Sequence, residues 1–492
     1  MVAEILTSIF GDLTPLSVML VLIIGALIMP AVQMFGKKHT VTWVVALIIA
    51  AIAMIFDMML LVDQYMGTYL GVYVGPYSEI MSLLFLIVLF LVILVSNASV
   101  ETTRNHYGAY YSLLFGAVLG MVFVTTSIDL ITIFVGVELT SISSYALVAL
   151  KRKDGRASEA AVKYAIIGGL STALTIYGIS MLYGITGTTQ TYAIAEYVTW
   201  AGVDWIFGIA MICMIAGYGF KIAAVPFHMW APDVYEGAAT PVSMFLATGS
   251  KKMGLAVFFQ VFLVMFIAAA TAGTILGETA QYIFAIIAAI TMTVGNVVAI
   301  AQNNIKRMLA YSSIAQAGYI LIVMAVMTPE AAAAGTFHMF THVFMKGGAF
   351  LIVGALICAG IGEKLSDYKG LAARAPALAF AMMLFLFSLA GIPPLAGFTS
   401  KFFLFASAVG VPGEASSQWV WLAFIAILNS AISLYYYARV VKAMYIEKGT
   451  STEKIKIPAA FTVAILICIV FVIVLGVYPD LLYGFCETAM LY

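Results

Sequence analysis

The feature that most constrains the fold of this chain is a series of apolar stretches that recurs along all 492 residues. Each stretch is about 20 residues long, the length at which an α-helix crosses the ~30 Å hydrocarbon layer of a bilayer. Hydrophobic residues make up 64% of the sequence and charged residues 9%, so the chain has more apolar surface than a water-soluble core can bury. We therefore predict an all-α polytopic membrane protein that is surrounded by lipid.

Fourteen stretches of this kind can be placed along the sequence. The predicted spans cover residues 14–34, 41–62, 78–96, 108–126, 128–150, 159–184, 204–226, 241–267, 279–301, 306–327, 333–359, 376–408, 416–441 and 457–480. Spans and the connections between them are numbered from the N-terminus. Glycine and proline clusters occur inside the spans and not between them, so we expect a single membrane domain, residues 1–492.

Basic residues are confined to alternate connections. The odd-numbered connections contain Lys37, Lys38, Arg104, Lys151, Arg152, Lys153, Arg156, Lys306, Arg307, Lys364, Lys369, Arg374, Lys448, Lys454 and Lys456. The even-numbered connections contain no lysine or arginine, and carry instead Asp63, Glu196, Glu278, Glu330 and Glu414. Among the odd connections, only the seventh, with Asp233 and Glu236, lacks a basic residue. Because basic connections stay on the cytoplasmic side, the pattern predicts a multi-pass protein of the cell inner (cytoplasmic) membrane with both termini on the non-cytoplasmic side.

Titratable side chains lie inside the predicted spans, where a charge near mid-membrane costs about 3 kcal/mol and needs a partner, water or a function. They are Glu138 in the fifth span, Lys163 in the sixth, Lys221 in the seventh, Lys251 and Lys252 in the eighth, Lys346 in the eleventh and Lys401 in the twelfth. His338, His342 and Lys346 follow one another at spacings of four residues, which places all three on one helix face. We predict that this series relays protons or another cation across the membrane.

Lysine suits a proton relay because burial favours its neutral form, whereas a nearby carboxylate favours its charged form. If Glu138 and Lys163 pair, joining or separating them would change the electric field at Lys221 and thereby its protonation.

Several of these residues have other interpretations. Lys163 lies near the end of its span and could extend to the membrane surface instead of taking part in a relay. Lys251 and Lys252 point about 100° apart on a helix, so we expect only one of them to face inward. The two histidines could be a packing feature or a metal site, although no acidic residue or cysteine lies close by in that helix.

The remaining polar residues give weaker signals. Asp57 and Asp129 fall near the ends of their spans, which predicts positions at the membrane interface. The four cysteines are Cys213, Cys358, Cys468 and Cys486, and their scattered spacing matches no metal or cluster motif. There is also no dinucleotide fingerprint within a βαβ unit. We therefore expect no catalytic site, metal, redox centre or other cofactor in this chain.

Two of the lysines are close to helix breakers. These are Pro226 after Lys221, and Pro393, Pro394 and Gly397 before Lys401. Proline removes a backbone donor and frees carbonyl groups, so we expect both spans to be interrupted within the membrane. Interrupted helices at corresponding places in two halves of a chain are typical of inverted-repeat transporters and indicate an ion pathway.

The breaks predict an internal repeat of five spans. The expected parts are residues 1–107 with spans one to three, 108–270 as the first repeat, 271–445 as the second, and 446–492 with span fourteen. The repeat is imperfect, because the tenth span contains no acidic counterpart of Glu138.

Three long motifs carry a family resemblance. VPFHMWAPDVYEGAATPVSMFLATGSKK, NIKRMLAYSSIAQAGY and GIPPLAGFTSK resemble the antiporter-type membrane subunits of respiratory complex I. The similarity extends from about the fourth to the thirteenth span. The DVYEGAATPVS stretch and the length make the chain most similar to the N subunit, a family that includes archaeal deazaflavin-dependent relatives.

The resemblance implies a fold of fourteen helices with two inverted five-helix repeats, and it implies roles for the buried residues. By position in the shared motifs, Glu138 is the fifth-helix glutamate and Lys163 its partner. Lys221 is the lysine of the broken helix, Lys251 the central relay lysine and Lys401 the lysine on the exit side. His338, His342 and Lys346 are more similar to a THxFFK motif of the sister antiporter subunits, which leaves the subunit type open.

The implied function is proton translocation as a membrane-arm subunit of a complex I-like oxidoreductase, of the NADH:quinone or the reduced-deazaflavin type. Flavin and iron–sulfur clusters are then expected in partner subunits. The expected partners are other antiporter-like and small membrane subunits and the lipid bilayer, with no nucleic acid and no soluble small-molecule substrate. The alternatives are a subunit of a multi-subunit sodium/proton antiporter, with the same lysines, and a standalone solute transporter.

Overall fold

The computed structural model describes residues 2–36, 38–102, 106–151, 154–200, 205–271, 273–410, 417–449 and 453–490. Five residues of the predicted charge pattern, Lys37, Arg104, Arg152, Lys153 and Glu414, lie outside the described residues. Nearly all of the described chain is helical, as expected for segments whose backbone groups must be satisfied without water.

The helices follow one another with short connections. In chain order the α-helices are Val2–Phe10, Ser17–Gly36, His39–Val62, Pro76–Ser96, Tyr107–Thr125, Leu130–Ala149, Gly155–Thr186, Thr191–Trp200, Trp205–Ile222, Trp230–Gly237, Thr240–Phe245, Lys251–Val257, Val264–Thr271, Ile275–Ile300, Ile305–Ile320, Ile322–Val326, Pro329–Cys358, Leu371–Arg374, Pro376–Ala390, Ala396–Val409, Val420–Tyr445, Ala459–Val477 and Asp480–Met490. The π-helical turns are Leu246–Ser250 and Phe258–Leu263, and the 3-10 turns are Gly11–Leu16, Leu365–Tyr368 and Ser417–Trp419. A small antiparallel hairpin pairs strands β1 (Gly67–Tyr69) and β2 (Val72–Val74) between the second and third spans.

Within the described residues, 13 helical segments are long and apolar enough to cross a membrane. They correspond to all the predicted spans except the twelfth. The twelfth span is divided into two shorter apolar helices, Pro376–Ala390 and Ala396–Val409, with the predicted breakers between or at the start of them. The prediction of an all-α polytopic fold with about fourteen spans and two broken helices is therefore confirmed.

Alternate connections lie at opposite ends of the helix bundle. The ion pairs that join odd-numbered connections are Lys151–Glu101 at 3.2 Å, Lys306–Glu363 at 3.2 Å and Lys369–Glu447 at 2.9 Å. The backbone bridges that join even-numbered connections are Val72 with Ser127 and Asp129 with Gln190. The described basic residues of the odd connections are thus gathered at one end of the molecule, as the sequence pattern requires.

The acidic seventh connection is explained by its neighbours in space. Asp233 lies 2.7 Å from the Lys163 amine and 2.7 Å from the Arg307 guanidinium. Glu236 lies 2.9 Å from Arg307 and 3.9 Å from Arg156. These carboxylates form ion pairs with basic residues beside the fifth and ninth connections, so the basic end of the bundle is crosslinked by opposite charge.

Glycines bring neighbouring spans into close contact at two corresponding places. A Cβ atom on Gly120 would lie 2.6 Å from the carbonyl oxygen of Gly136, between the fourth and fifth spans. A Cβ atom on Gly318 would lie 2.5 Å from the backbone nitrogen of Met292, between the ninth and tenth spans. Helices in lipid associate through such close packing, so the absence of a side chain at these positions sets the spacing of the spans.

Asp57 and Asp129, the two aspartates near span ends, have different surroundings. Asp129 lies at a span end, where its carboxylate accepts hydrogen bonds from the backbone of Ile131 at 2.9 Å and Thr132 at 3.0 Å. The Asp57 side chain is 0% exposed and interacts with Glu79 of the third span. A position near a span end along the chain therefore goes together here with full burial in the protein.

Candidate functional site

The seventh span is interrupted beside its buried lysine. Helix Trp205–Ile222 ends one residue after Lys221, and the chain becomes helical again at Trp230. The indole of Trp230 donates a hydrogen bond of 2.9 Å to the carbonyl oxygen of Phe220, which satisfies a group at the helix end. Lys221 is 3% exposed, and its amine donates to the Ser141 hydroxyl at 2.9 Å.

Glu138 faces a cavity between the fifth, sixth and seventh spans. Its carboxylate accepts a hydrogen bond of 2.8 Å from the Thr172 hydroxyl, and it lines a small cavity together with Ser141 and Lys221. Lys221 also lies within electrostatic range of Glu138. The structure therefore brings together a carboxylate, a hydroxyl and an amine within the membrane-spanning region.

Lys163 is held by other partners. Its amine lies 2.7 Å from both Glu159 and Asp233, and its side chain is 42% exposed. The carboxylates and amine border a cavity of about 340 Å³ at the basic end of the bundle. Burial alone would raise the pKa of Asp233, but the hydrogen bonds and charges of Lys163 and Arg307 outweigh it and leave this pKa below its usual range.

The eighth span contains both adjacent lysines between two π-helical turns, a local widening that often marks functional positions. Lys251 and Lys252 are 1% and 0% exposed, and neither amine has a hydrogen-bond partner among the described residues. The Lys251 amine lies 5.7 Å from the centre of the Tyr235 ring. We expected only one of these two adjacent residues to face the protein interior, but both side chains are buried. The reason is that the whole segment 240–259 is buried within the helix bundle.

The eleventh span carries the two histidines and Lys346, all 0% exposed. The His338 ring nitrogens lie 2.9 Å from the Ser400 hydroxyl and 2.9 Å from the Gln316 side-chain oxygen. Neither ring nitrogen of His342 has a hydrogen-bond partner among the described residues. His342 is within electrostatic range of Lys251, Lys252 and Lys346, so the eighth and eleventh spans meet here.

Lys401 lies at the break of the twelfth span. Its amine donates to the carbonyl oxygen of Leu389 at 2.8 Å and to the Ser430 hydroxyl at 2.9 Å. Leu389 is in the last turn of Pro376–Ala390, so the lysine satisfies a carbonyl group that the interrupted helix leaves free. The amine also lies 4.8 Å from the centre of the Tyr319 ring.

Neutral polar residues that the sequence analysis did not single out connect these groups. Lys346 donates to Ser312 at 2.5 Å, and Ser312 forms a short hydrogen bond with Tyr437. Further along, Tyr436 donates to Asn296 at 2.9 Å. Serine, tyrosine and asparagine are common in membrane helices, so their identity alone gave no signal. Their positions in the tenth, thirteenth and ninth spans become informative only in three dimensions.

The arrangement is a series of buried amines, imidazoles and hydroxyl groups that extends through both halves of the chain. Amines and imidazoles can gain and lose a proton, and hydroxyl groups both donate and accept hydrogen bonds, so a series of this kind can hold and pass protons. Within the part of the chain that the structure describes, no group of three or more His, Cys, Asp or Glu residues could hold a metal ion.

Residues 127–433 match the protein family described as NADH:quinone oxidoreductase/Mrp antiporter, TM. The matched region extends from the start of the fifth span into the thirteenth. It therefore contains all of the buried lysines described above.

Individual relatives match over most of their length. An F(420)H(2) dehydrogenase subunit N of Methanosarcina mazei is 43% identical over 425 residues, which are 84% of this chain and 82% of the relative. An NADH-quinone oxidoreductase subunit N of Desulforamulus reducens is 39% identical over 427 residues, 86% of this chain and 84% of the relative. A chain of respiratory complex I from Thermus thermophilus with bound aureothin has a TM-score of 0.79 and 28% identity, and the similarity covers 95% of this chain and 98% of that one. This chain belongs to the NADH:quinone oxidoreductase/Mrp antiporter transmembrane family.

Proposed function

We propose that this chain is the antiporter-like subunit of N type in a complex I-like oxidoreductase, where it couples redox energy from partner subunits to proton translocation. The observation that carries the proposal is the series of buried amines Lys221, Lys251, Lys346 and Lys401, each at most 3% exposed. A buried amine that lacks a carboxylate within ion-pair distance is costly in a membrane, and such residues mark ion pathways.

We assign the positions in the relay in chain order, from the first half of the chain to the second. Glu138 and Lys221 form the part in the first repeat, Lys251 lies in the middle, and Lys346 and Lys401 form the part in the second repeat. His338 and His342 lie between these last two. Lys163 acts at the start of the relay, where it exchanges between Asp233, its partner in this structure at 2.7 Å, and Glu138.

The two repeats are residues 108–270 and 271–445 in this proposal, with 1–107 and 446–492 on either side. Two observations support the division. Both proposed repeats contain a broken span beside a buried lysine, and both contain a close glycine contact between their first and second spans. Equivalent interruptions in two halves are what alternating access around a shared pathway requires.

The proposed partners are other antiporter-like and small membrane subunits, and the proposed location is the cell inner (cytoplasmic) membrane. Relatives named for NADH and for F(420)H(2) are 39% and 43% identical to this chain. Because similar chains occur with different electron donors, we place the donor site, the flavin and the iron–sulfur clusters in other chains. This chain then has no redox centre or catalytic site of its own.

A second candidate is a subunit of a multi-subunit sodium/proton antiporter, because the matched family also includes Mrp antiporters. Purification of the complex from its native membrane distinguishes the two. Hydrophilic subunits with flavin and iron–sulfur absorbance support the oxidoreductase, and their absence together with sodium-driven proton exchange supports the antiporter.

The relay is tested with Lys221→Ala in the assembled complex. We expect normal assembly and a loss of most of the protons moved per electron, because no other described amine lies at this break. The measurement is the proton-to-electron ratio in proteoliposomes. Lys448→Ala, which removes an exposed lysine of the thirteenth connection, is the matched control and keeps the wild-type ratio. A wild-type ratio in Lys221→Ala would contradict the proposal.

A further inference from the structure

A second pair of buried titratable groups lies outside the relay, in the second and third spans. Asp57 is 0% exposed and Glu79 is 3% exposed, and the two carboxyl groups lie close enough to interact with each other. Asp57 is five residues before the end of His39–Val62, and Glu79 is in the first turn of Pro76–Ser96. The pair is therefore near the end of the bundle where the even-numbered connections lie.

No cation compensates this pair among the described residues. None of the ion pairs formed by described lysines, arginines and histidines involves Asp57 or Glu79. Both oxygens of Asp57 and the Oε2 atom of Glu79 accept no hydrogen bond from a donor group in the described part of the chain. The group within reach of each carboxyl is thus the other carboxyl.

The elements that pack around the pair bring few other titratable groups to this end of the bundle. They are Asp12 in the 3-10 turn, Asp63 and Tyr65 before the hairpin, Tyr69 and Tyr73 in the hairpin, Tyr77 in the third span, Glu330 in the first turn of the eleventh span, and Tyr483, Cys486 and Glu487 in the last helix. Tyr65 is within electrostatic range of Glu79. All of these groups are neutral or acidic near neutral pH, so none of them can balance a second negative charge.

Two ionised carboxylates in contact and out of water repel each other and lose several kcal/mol of hydration each. A hydrogen bond between two carboxyl groups also requires a proton, because an ionised carboxylate only accepts. Because no described side chain donates a hydrogen bond to the Asp57 oxygens or to Oε2 of Glu79, that proton must be carried by Asp57 or Glu79.

We propose that Asp57 and Glu79 form a proton-binding site that is separate from the lysine relay and holds one shared proton between the two carboxyl groups. The site lies in residues 1–107, outside both proposed repeats. Met58 and Leu83, close to the two acids in their helices, line an apolar cleft of about 520 Å³ together with Phe340 of the eleventh span. The pair therefore neighbours the helix that carries His342 and Lys346 without contacting either of them. The inference does not depend on the proposed function.

The test uses infrared spectroscopy of the purified complex with Asp57→Asn and Glu79→Gln as separate variants. Both substitutions keep the size of the side chain and supply a neutral hydrogen-bond donor, so we expect assembly at the wild-type level. In the wild type we expect a protonated-carboxyl C=O band at neutral pH that shifts in deuterium oxide. Each single variant shifts that band, because the remaining carboxyl group has an amide as its partner. The double variant Asp57→Asn with Glu79→Gln loses it, and Glu330→Gln, an exposed acid in the tenth connection, leaves it unchanged.

Three results would contradict the proposed proton-binding site. The band could stay unchanged in both single variants or survive in the double variant, or it could be absent from the wild type at neutral pH. It could also disappear when sodium chloride replaces choline chloride at constant pH, which would show that the pair binds a metal cation and not a proton. Lys221→Ala should leave the band unchanged, so a failure of this site is distinguishable from a failure of the relay. If the single variants do not assemble, the spectrum of the double variant Asp57→Asn with Glu79→Gln is compared with that of the wild type.

Discussion

At the scale of single residues, the two adjacent lysines of the eighth span differ in what surrounds them. The Lys251 amine faces the Tyr235 ring, in the connection that follows the broken seventh span. Lys251 is also within electrostatic range of Lys346 and His342 in the second half of the chain. Lys251 is therefore positioned between the two halves of the relay, although both lysines are buried.

We expect Lys251→Ala to reduce the proton-to-electron ratio more than Lys252→Ala, because the Lys251 amine lies against Tyr235, next to the broken span that carries Lys221. Both variants remove a buried amine from the same helix, so each is the control for the other. The ratio is measured in proteoliposomes at equal electron-transfer rates. The opposite order would show that Lys252 is the central relay lysine.

Asp233 gives a prediction for pH dependence. Its pKa is lowered in the folded protein, so its ion pairs contribute stability that is fully present above the ordinary carboxyl pKa of ~4 and is lost as the pH falls through the folded value. Removing this half-exposed carboxylate by Asp233→Asn should cost about 1 kcal/mol at neutral pH. The difference in thermal midpoint from the wild type should stay constant down to about pH 5 and shrink below pH ~4.

The control for this prediction is Asp480→Asn, an exposed aspartate at the other end of the bundle. It should leave the midpoint unchanged at every pH. If the difference in thermal midpoint between Asp233→Asn and the wild type grew as the pH fell, the pH dependence would be opposite to the predicted one. The ion pairs of Asp233 would then not be its origin.

At the scale of elements, the two broken spans use different means to satisfy their free carbonyl groups. The indole of Trp230 donates a hydrogen bond to a carbonyl group of the seventh span, whereas the amine of Lys401, a residue of the proposed relay, donates to a carbonyl group of the twelfth. In the twelfth span the buried amine and the helix break are thus one structural unit. The second half of this span must therefore approach the first half closely.

Gly397 permits this approach. A Cβ atom at this position would lie 1.8 Å from the Ser388 carbonyl oxygen, so Gly397→Ala forces the two halves of the span apart. We expect a loss of about 3 kcal/mol in stability and a low yield of assembled complex, because a backbone atom cannot move aside as a side chain can. Gly169→Ala is the control, since a Cβ atom there meets nothing within 4 Å. Equal yields for the two variants would contradict this account of the break.

At the scale of the whole molecule, ion pairs gather the odd-numbered connections at one end. Glu101 illustrates the effect. Burial raises its pKa, but Lys306, the backbone of Thr240 and Lys151 outweigh this and leave the pKa of Glu101 lowered. One carboxylate thereby joins the third, fifth, seventh and ninth connections, so the charge pattern that orients the chain also fastens its helices together.

The orientation is tested by thiol labelling of intact cells. We expect Glu330→Cys to react with a membrane-impermeant reagent added outside, and Lys448→Cys to react only in inverted vesicles, because basic connections are retained in the cytoplasm. The unsubstituted chain, whose native cysteines are half-buried or buried, gives the background. The reverse labelling pattern would place both termini in the cytoplasm.

The sequence by itself determined the number of spans, their alternation and the positions of the broken helices. These properties are local: apolar length decides whether a segment crosses lipid, the basic residues of a connection decide its side, and proline interrupts the helix that contains it. The buried lysines were equally visible, because a charged residue inside an apolar run stands out whatever surrounds it.

Only the tertiary structure decided which of these residues meet. It paired Lys163 with Asp233, which is 70 residues away in sequence, and it buried both lysines of the eighth span. It also brought Asp57 and Glu79 into contact, where the sequence indicated an interfacial aspartate. Contacts between helices depend on how each one is rotated and packed against its neighbours, and an almost uniformly apolar segment carries little information about that rotation.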